Sequence, residues 1–324
     1  MKNQHKTVKS WRAKLQTIIN ANNRESLTKP KIISHETMQD RAEVLFLCFN
    51  QLRELGYKIE EPSNLGLRHV QALVQRWEVQ EKLSASTLQK RLSILRGFAK
   101  WIGKEGMIGP SEKLVSNPEN ARRSYIATED KSWTAKGVDP RETIAQVQAF
   151  DPHVGIQLKI MWAFGLRRKE AICFKPRMND RGDFIEVGQG AVIYLKEGTK
   201  GGRERLAEFD FMPDAAERRA ALDEAKAMVS SEDAHLGAPG RTLKQNIARF
   251  EYVMKKFGLT RAEKGVTGHG LRHQAMNDGF EALTGRPSPV RGGEKVQAEE
   301  EGALLRMTRN AGHNRTAITR GYYG

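Results

Sequence analysis

The chain of 324 residues holds only two cysteines, Cys48 and Cys173. Both fall within apolar helical patterns, so they read as buried, reduced thiols and supply neither a disulfide framework nor a metal site. No run of about 18 apolar residues occurs, which excludes a membrane-spanning helix. The opening stretch, MKNQHKTVKSWRAKLQ, is polar and basic and lacks the apolar middle of a secretory signal. There is no P-loop, no His-Glu-x-x-His and no clear carboxylate trio, so nucleotide-driven and two-metal chemistry find no candidate residues. Internal repeats and low-complexity tracts are lacking too. Acidic residues are scarce relative to basic ones, 39 against 54, which leaves a formal net charge of +15. Such a surplus concerns partners rather than fold, and it favours nucleic acid over an acidic membrane surface.

What is present suits a soluble globular protein long enough for two domains, with 39% hydrophobic and 29% charged residues. Residues 1–33 are polar and lysine-rich and read as a basic arm or lead. A helical domain is expected over 34–104. Met38, Leu45, Cys48, Leu52 and Leu55 recur at helical spacing from Ser34, and Gly56 closes that run. A second helix carries Leu67, Val70, Leu73, Val74 and Trp77. A third, SASTLQKRLSILRGFAKWIGK, has Ser86 as N-cap candidate and an apolar stripe of Leu88, Leu92, Leu95, Ala99 and Ile102. Lys90, Arg91, Arg96, Lys100 and Lys104 lie off the stripe, either as a solvated charged face or as contacts to a DNA backbone. Gly, Pro, Ser and Asn then punctuate a linker over 105–138, with room for a short helix near 116–125.

A second domain over 139–324 opens with Asp-Pro at 139–140 and again at 151–152, each an N-cap followed by proline at the first helical position. Strands are expected at 184–187, 191–195 and 205–209, with a glycine-rich hairpin carrying Lys200 near its tip. Helices are expected at roughly 214–230, 242–257, 269–283 and 300–311. The fold class is therefore mainly α with a small β-sheet.

Chemistry-bearing residues gather in this second domain. In FGLRRKEAI (164–172) a glycine ends one helix and Arg167 precedes Glu170 by three, which taken alone is a surface pair at a helix start. In GHGLRHQAM (268–276) His269 and Arg272 share one helical face, an arrangement suited to an anion that needs both a proton donor and a fork of N–H groups. His273 is either a structural histidine or part of that site, and a zinc reading of His269 with His273 lacks further ligands. The last stretch, RNAGHNRTAITRGYYG, sets His313 nine residues before Tyr322 and ten before Tyr323.

Together these clusters resemble the tyrosine recombinases of the phage-integrase type, specifically a bacterial integrase-domain subgroup. The matching features are Arg167 with Glu170, Lys200 on a hairpin, His269-Gly270-Leu271-Arg272-His273, Gly312-His313 and Tyr322, in order across residues 165–322. The helical region 34–104 resembles the family's SAM-like core-binding domain more loosely. The resemblance implies a site-specific recombinase that breaks and rejoins duplex DNA through a 3′-phosphotyrosyl link, integrating or excising a mobile element or prophage without metal or ATP. It implies Tyr322 as nucleophile, Arg167 and Arg272 as the phosphate clamp, His269 and His313 as proton or phosphate partners, and Lys200 as acid for the leaving 5′-oxygen. Glu170 and His273 would support these groups, and Tyr323 would pack beside them. Lys90, Arg91, Arg96, Lys100 and Arg203 are DNA-binding candidates.

The expected partner is double-stranded DNA, bound as a C-shaped clamp, with a tetramer on two sites, a monomer when free, and an accessory directionality protein as a further candidate. Cytoplasmic, nucleoid-associated residence follows from the same resemblance. The alternatives are a non-catalytic sequence-specific DNA binder and a type IB topoisomerase-like relaxing enzyme. The chain departs from compact relatives in two ways. Forty residues separate Arg272 from His313, the excess being a Gly-, Pro- and charge-rich surface loop at 284–301. Only Tyr323 and Gly324 follow Tyr322, where many relatives continue with a helix that docks on the next protomer. Either that exchange uses another element or the chain is truncated.

Overall fold

The structure is a computed structural model that describes residues 10–27, 31–183, 191–209, 214–313 and 315–324. It divides into two compact units, one up to Ser124 and one from Tyr125 onward.

The first unit is helical. Its elements are α1 (Trp11–Asn22), α2 (His35–Glu54), α3 (Leu67–Val79) and α4 (Ala85–Trp101). Serine hydroxyls cap three of them, with Ser10, Ser34 and Ser84 accepting from the backbone N–H three residues on. The cap of α4 is thus Ser84 rather than Ser86, which lies inside the first turn. Residues 1–33 hold more than an arm. Trp11, Leu15 and Ile19 recur every four residues along α1 and are buried in the core. That core joins them to Leu45, Phe49, Leu52, Leu73, Trp77, Leu92, Leu95 and Phe98. Phe49 sits edge-on to Phe98 at 5.6 Å between ring centroids. The indole N–H of Trp77, fully buried, donates to Gln51 Oε1 at 2.8 Å, so the ring is buried without stranding its one polar group.

The segment expected as a linker is shared between the units. Short 3₁₀ turns at Ser111–Lys113 and Pro118–Ala121 belong to the first. In the second, Trp133 is fully buried and donates to the Thr267 carbonyl at 2.8 Å.

The second unit continues with α5 (Pro140–Phe150), α6 (Pro152–Phe164), α7 (Arg168–Cys173) and α8 (Pro176–Asn179). Asp139 and Asp151 cap α5 and α6 through side-chain bonds of 2.9 and 3.0 Å to the N–H groups of Glu142 and Val154. An antiparallel sheet follows, β1 (Asp180–Asp183), β2 (Ala191–Leu195) and β3 (Arg205–Glu208), in that order. Val192 pairs with Glu208 and Leu195 with Arg205. The expected strand at 184–187 lies outside the described residues. The observed β1, Asp-Arg-Gly-Asp, has no β-branched residue. It is held by irregular pairing to β2 and by Arg219 and Lys226 on Asp180. The remaining helices are α9 (Ala215–Ala227), α10 (Leu243–Lys256), α11 (Gly268–Thr284), α12 (Glu301–Asn310) and α13 (Thr316–Tyr323). Helix α6 is buried nearly all round and serves as the spine of this unit. Cys48 is buried, Cys173 partly so, and both are free thiols.

The stretch 284–301 is not a detached surface loop. Arg291 reaches Asp130, Asp278 and Glu281, Arg286 pairs with Glu300, and buried Ser288 donates to Asn277 Oδ1 at 2.6 Å. Among the described residues no helix is long and apolar enough to cross a membrane.

Candidate active site

Two chain reversals and one close helix contact, each at a glycine, bring the site together. Gly165 ends α6 in the left-handed conformation (φ 60°, ψ 33°), which favours glycine, and turns the chain so that Arg167 stands at the N-terminus of α7. Glu170, one turn on, accepts the Arg167 backbone N–H at 2.8 Å and its guanidinium at 2.7 Å. At the start of α11, a Cβ on Gly270 would come within 2.8 Å of the Lys131 carbonyl and of Trp133. The missing side chain lets this first turn lie against the 131–133 segment and fixes where His269, Arg272 and His273 project. The second reversal is Gly312 (φ 65°), between α12 and the His313 turn that leads to α13.

Arg272 is fully buried and aimed by three acceptors. Its Nη1 donates to the Gly165 carbonyl, its Nη2 to the Ala311 carbonyl, and its Nε to the Tyr322 hydroxyl at 2.8 Å. The Tyr322 ring is boxed by histidines. His313 stacks on it at 5.7 Å with 9° between planes, His273 lies edge-on at 4.9 Å, and His269 is tilted at 5.9 Å. Tyr323 points elsewhere, fully buried and stacked on Phe280 at 5.4 Å. The two tyrosines therefore differ in kind: one hydroxyl meets a guanidinium, while the other ring is core.

His313 links two of these groups. Its Nε2 is 3.3 Å from Arg167 Nη2, and its Nδ1 is 3.0 Å from Thr319 Oγ1. A guanidinium only donates, so Nε2 is the acceptor and the proton sits on Nδ1, facing Thr319. Thr319 in turn meets the Thr308 hydroxyl, which donates to the Leu304 carbonyl at 2.7 Å. Burial, then the charges of Arg272, Arg167, Arg205 and Lys200, push the imidazole down to about 3. In this state His313 is thus an acceptor toward Arg167. To donate to a phosphate through Nε2 it must change tautomer or take up a proton.

Burial likewise lowers His273 to about 4, helped by Lys131 and Arg272 and opposed by Asp130. His269 is lowered by its packed surroundings and by His273, Arg272 and Arg167, although the residue is exposed to solvent. Glu170 is wholly buried. Burial alone would raise its pKa, but Arg205, Arg272 and Arg167 hold it down at about 2. The carboxylate is therefore ionised and surrounded by cations in excess of its own charge, a setting that accommodates a further anion.

Lys200 lies exposed in a 3₁₀ turn, Lys200–Gly202, between β2 and β3, where Gly201 and Gly202 both have positive φ. The hairpin is docked on α7 through Gly198, where a Cβ would fall 2.5 Å from the Lys169 carbonyl. Arg203 is exposed in the same turn. A residue the sequence reading missed is Arg205, buried on β3, whose Nη2 donates to Glu170 Oε2 at 2.8 Å. An arginine facing inward from a strand must have a partner, and that is the signal which could have found it.

The remaining DNA-binding candidates lie in the first unit. Lys90 pairs with Asp40, and Lys100 with Glu105 at 3.1 Å. Arg91 pairs with Glu81 at 2.9 Å and lies 5.2 Å over the Trp77 ring. Arg96 donates to the Ile108 and Gly109 carbonyls and to Ser111 Oγ. Arg91 and Arg96 thus have structural work inside the unit. Among the described residues no group of His, Cys, Asp and Glu is placed to hold a metal ion.

Comparison with known proteins gives the class. Residues 20–108 match the phage integrase N-terminal family, and residues 131–278 match the integrase family. The chain belongs to the phage-integrase family of tyrosine recombinases, enzymes of site-specific DNA recombination.

The fold is shared with solved structures at low identity. A lambda integrase dimer bound to a COC′ core site matches at 13% identity and TM-score 0.56, over 95% of each chain. A lambda integrase tetramer bound to a Holliday junction matches at 14% and 0.55, over 98% of this chain and 78% of that one. The Tn1549 transposon integrase in complex with transposon right end DNA matches at 13% and 0.52, over 98% and 95%. No curated protein matches the chain.

Proposed function

We propose that this recombinase cleaves and rejoins duplex DNA with Tyr322 as its nucleophile, inserting or excising a mobile element. The observation that carries this reading is the 2.8 Å bond from Arg272 Nε to the Tyr322 hydroxyl, with Arg167 and His269 at the open edge of the same cluster. In the proposed step the Tyr322 oxygen attacks the scissile phosphorus, a bond to phosphorus forms, and the bond to the 5′-oxygen breaks. The phenolic proton passes to His269, and Lys200 supplies a proton to the leaving 5′-oxygen. Arg167 and Arg272 neutralise the non-bridging oxygens as charge builds on them. Glu170 keeps Arg167 in place. The phosphotyrosyl link conserves the energy of the broken bond, so rejoining by a second strand needs neither ATP nor metal.

Duplex DNA is the partner this reading requires, with copies of the chain assembled on paired sites. The test is covalent trapping in EDTA with DNA from the ends of the host element, quenched in detergent. A labelled protein–DNA adduct that disappears in Tyr322→Phe is the expected result. Tight, sequence-specific binding with no adduct would instead support a non-catalytic binder, and relaxation of supercoiled circles without joining would support the topoisomerase-like alternative.

A further inference from the structure

The clamp contains a third arginine to which no role has been given. Arg205 is buried, with 7% exposure, inside a cluster that already holds Arg167 and Arg272. Burying a cation beside two others is unfavourable unless something specific is gained. Its contacts show what is gained. Nη2 donates to Glu170 Oε2 at 2.8 Å, and Nη1 donates to the Asn310 carbonyl. Its stem lies under Gly312, where a Cβ would fall 2.5 Å from Arg205 Cδ. The same strand is fastened to this turn a second time, since the Glu208 backbone N–H donates to Asn310 Oδ1 at 2.8 Å. One side chain therefore touches the carboxylate that seats Arg167 and the turn that delivers His313.

There is an electrostatic side to the same contact. A carboxylate serving Arg167 alone would cancel the charge that a phosphate needs to see. Glu170 instead divides its two oxygens, Oε1 to Arg167 and Oε2 to Arg205 and the Arg167 backbone. Sharing leaves Arg167 ordered yet under-neutralised.

We infer that Arg205 is a positioning residue for strand cleavage, holding Glu170 and the Asn310–His313 turn so that Arg167 and His313 meet the scissile phosphate together. The inference rests on the recombinase reading above. Arg205 itself does not touch DNA.

The test measures single-turnover cleavage, DNA affinity and the His313 ring titration by NMR, in the full chain and in Arg205→Met and Arg205→Lys. In Arg205→Met, cleavage should fall on the order of a hundredfold, the size expected of a small misplacement of reacting groups. DNA affinity should stay within about threefold, because the lost group makes no DNA contact. The His313 titration should move upward, since a cation beside it has gone. Arg205→Lys should recover part of the rate, as it restores the charge but not the two-pronged geometry.

A DNA substrate with a bridging 5′-sulfur separates this role from that of the hairpin. Its thiolate leaves without a proton, so Lys200→Ala should regain rate on it and Arg205→Met should not. Cleavage by Arg205→Met within about threefold of the unmodified protein, recovery of that variant on the sulfur substrate, or an unmoved His313 titration would each overturn the assignment. Should Arg205→Met fail to fold, a folded Arg205→Lys carries the test, where an undiminished rate overturns it. An unmodified protein that never cleaves would defeat the proposed function, while the His313 titration would still decide the Arg205 contact.

Discussion

Two groups of cations, one in each unit, are neutralised in opposite ways. In the first, Lys90, Arg91 and Lys100 each face a carboxylate, and Arg96 is absorbed by backbone carbonyls. In the second, Arg167, Arg205 and Arg272 gather around one buried carboxylate, Glu170, which pairs directly with only two of them. Matched charge stabilises or solubilises a fold. Mismatched charge, buried and held by several acceptors, is an arrangement that folding alone does not favour and that suits a bound anion. Net charge of +15 points to a polyanionic partner, but only this difference in pairing says where chemistry on it would occur.

The comparison is broken most decisively at Tyr322. Tyr322→Phe should abolish the covalent adduct while changing DNA affinity little, and Tyr323→Phe should keep the adduct; gel analysis of trapped complexes decides both. Arg272→Ala should slow cleavage by about a hundredfold or more in single-turnover assays, through lost charge stabilisation at the phosphate. A rate near that of the unmodified protein would mean that the mismatch of charge is not catalytic.

Next in size is a pH effect on stability confined to the second unit. His273 is held near 4 in the fold, so the unfolded chain takes up a proton between roughly pH 6.5 and pH 4 that the folded one refuses. Stability is therefore present above that window and lost as pH falls through it, by about 3 kcal/mol at its lower end. Denaturant titrations at several pH values should show the loss, and His273→Asn should reduce it by that amount, leaving the part that His313 and His269 contribute with the same sign.

Arg96→Met should cost the first unit ~1–3 kcal/mol by stranding the Ile108 and Gly109 carbonyls, and leave single-turnover chemistry on bound DNA unchanged. The smallest effect is Lys90→Ala, an exposed pair with Asp40, worth less than about 1 kcal/mol of stability. Its measurable consequence should be a modest, sequence-independent loss of DNA affinity that shrinks as salt rises.

Much of this was legible before any coordinates. The Asp-Pro caps at 139–140 and 151–152, the hairpin around Lys200 and the helix bearing His269 and Arg272 follow from local rules of capping, turn chemistry and periodicity, and the structure has them. What escaped was non-local. Helix α1 carries Trp11, Leu15 and Ile19 at helical spacing, but it is packing against α2 that makes this otherwise polar and basic segment part of the core. Strand β1 has no propensity signal, being held by pairing and by ion pairs from α9. Arg205 reads as one more basic residue until the sheet turns it inward onto Glu170. The Ala311 carbonyl, a backbone acceptor for Arg272, has no sequence signature at all.

The stacking of Tyr323 on Phe280 has a consequence in time rather than in space. Tyr323 is Tyr322's neighbour in the same short helix, so withdrawing this end of α13 as a unit would pull that ring out as well. Exposing an aromatic side chain of about 150–250 Å² costs roughly 4–6 kcal/mol at about 25 cal/mol per Å². With a factor of ten for each ~1.4 kcal/mol, the withdrawn tyrosine is populated on the order of one molecule in a thousand or fewer. At that cost Tyr322 spends nearly all of its life beside Arg272, and its withdrawal is a rare event that must wait for its moment.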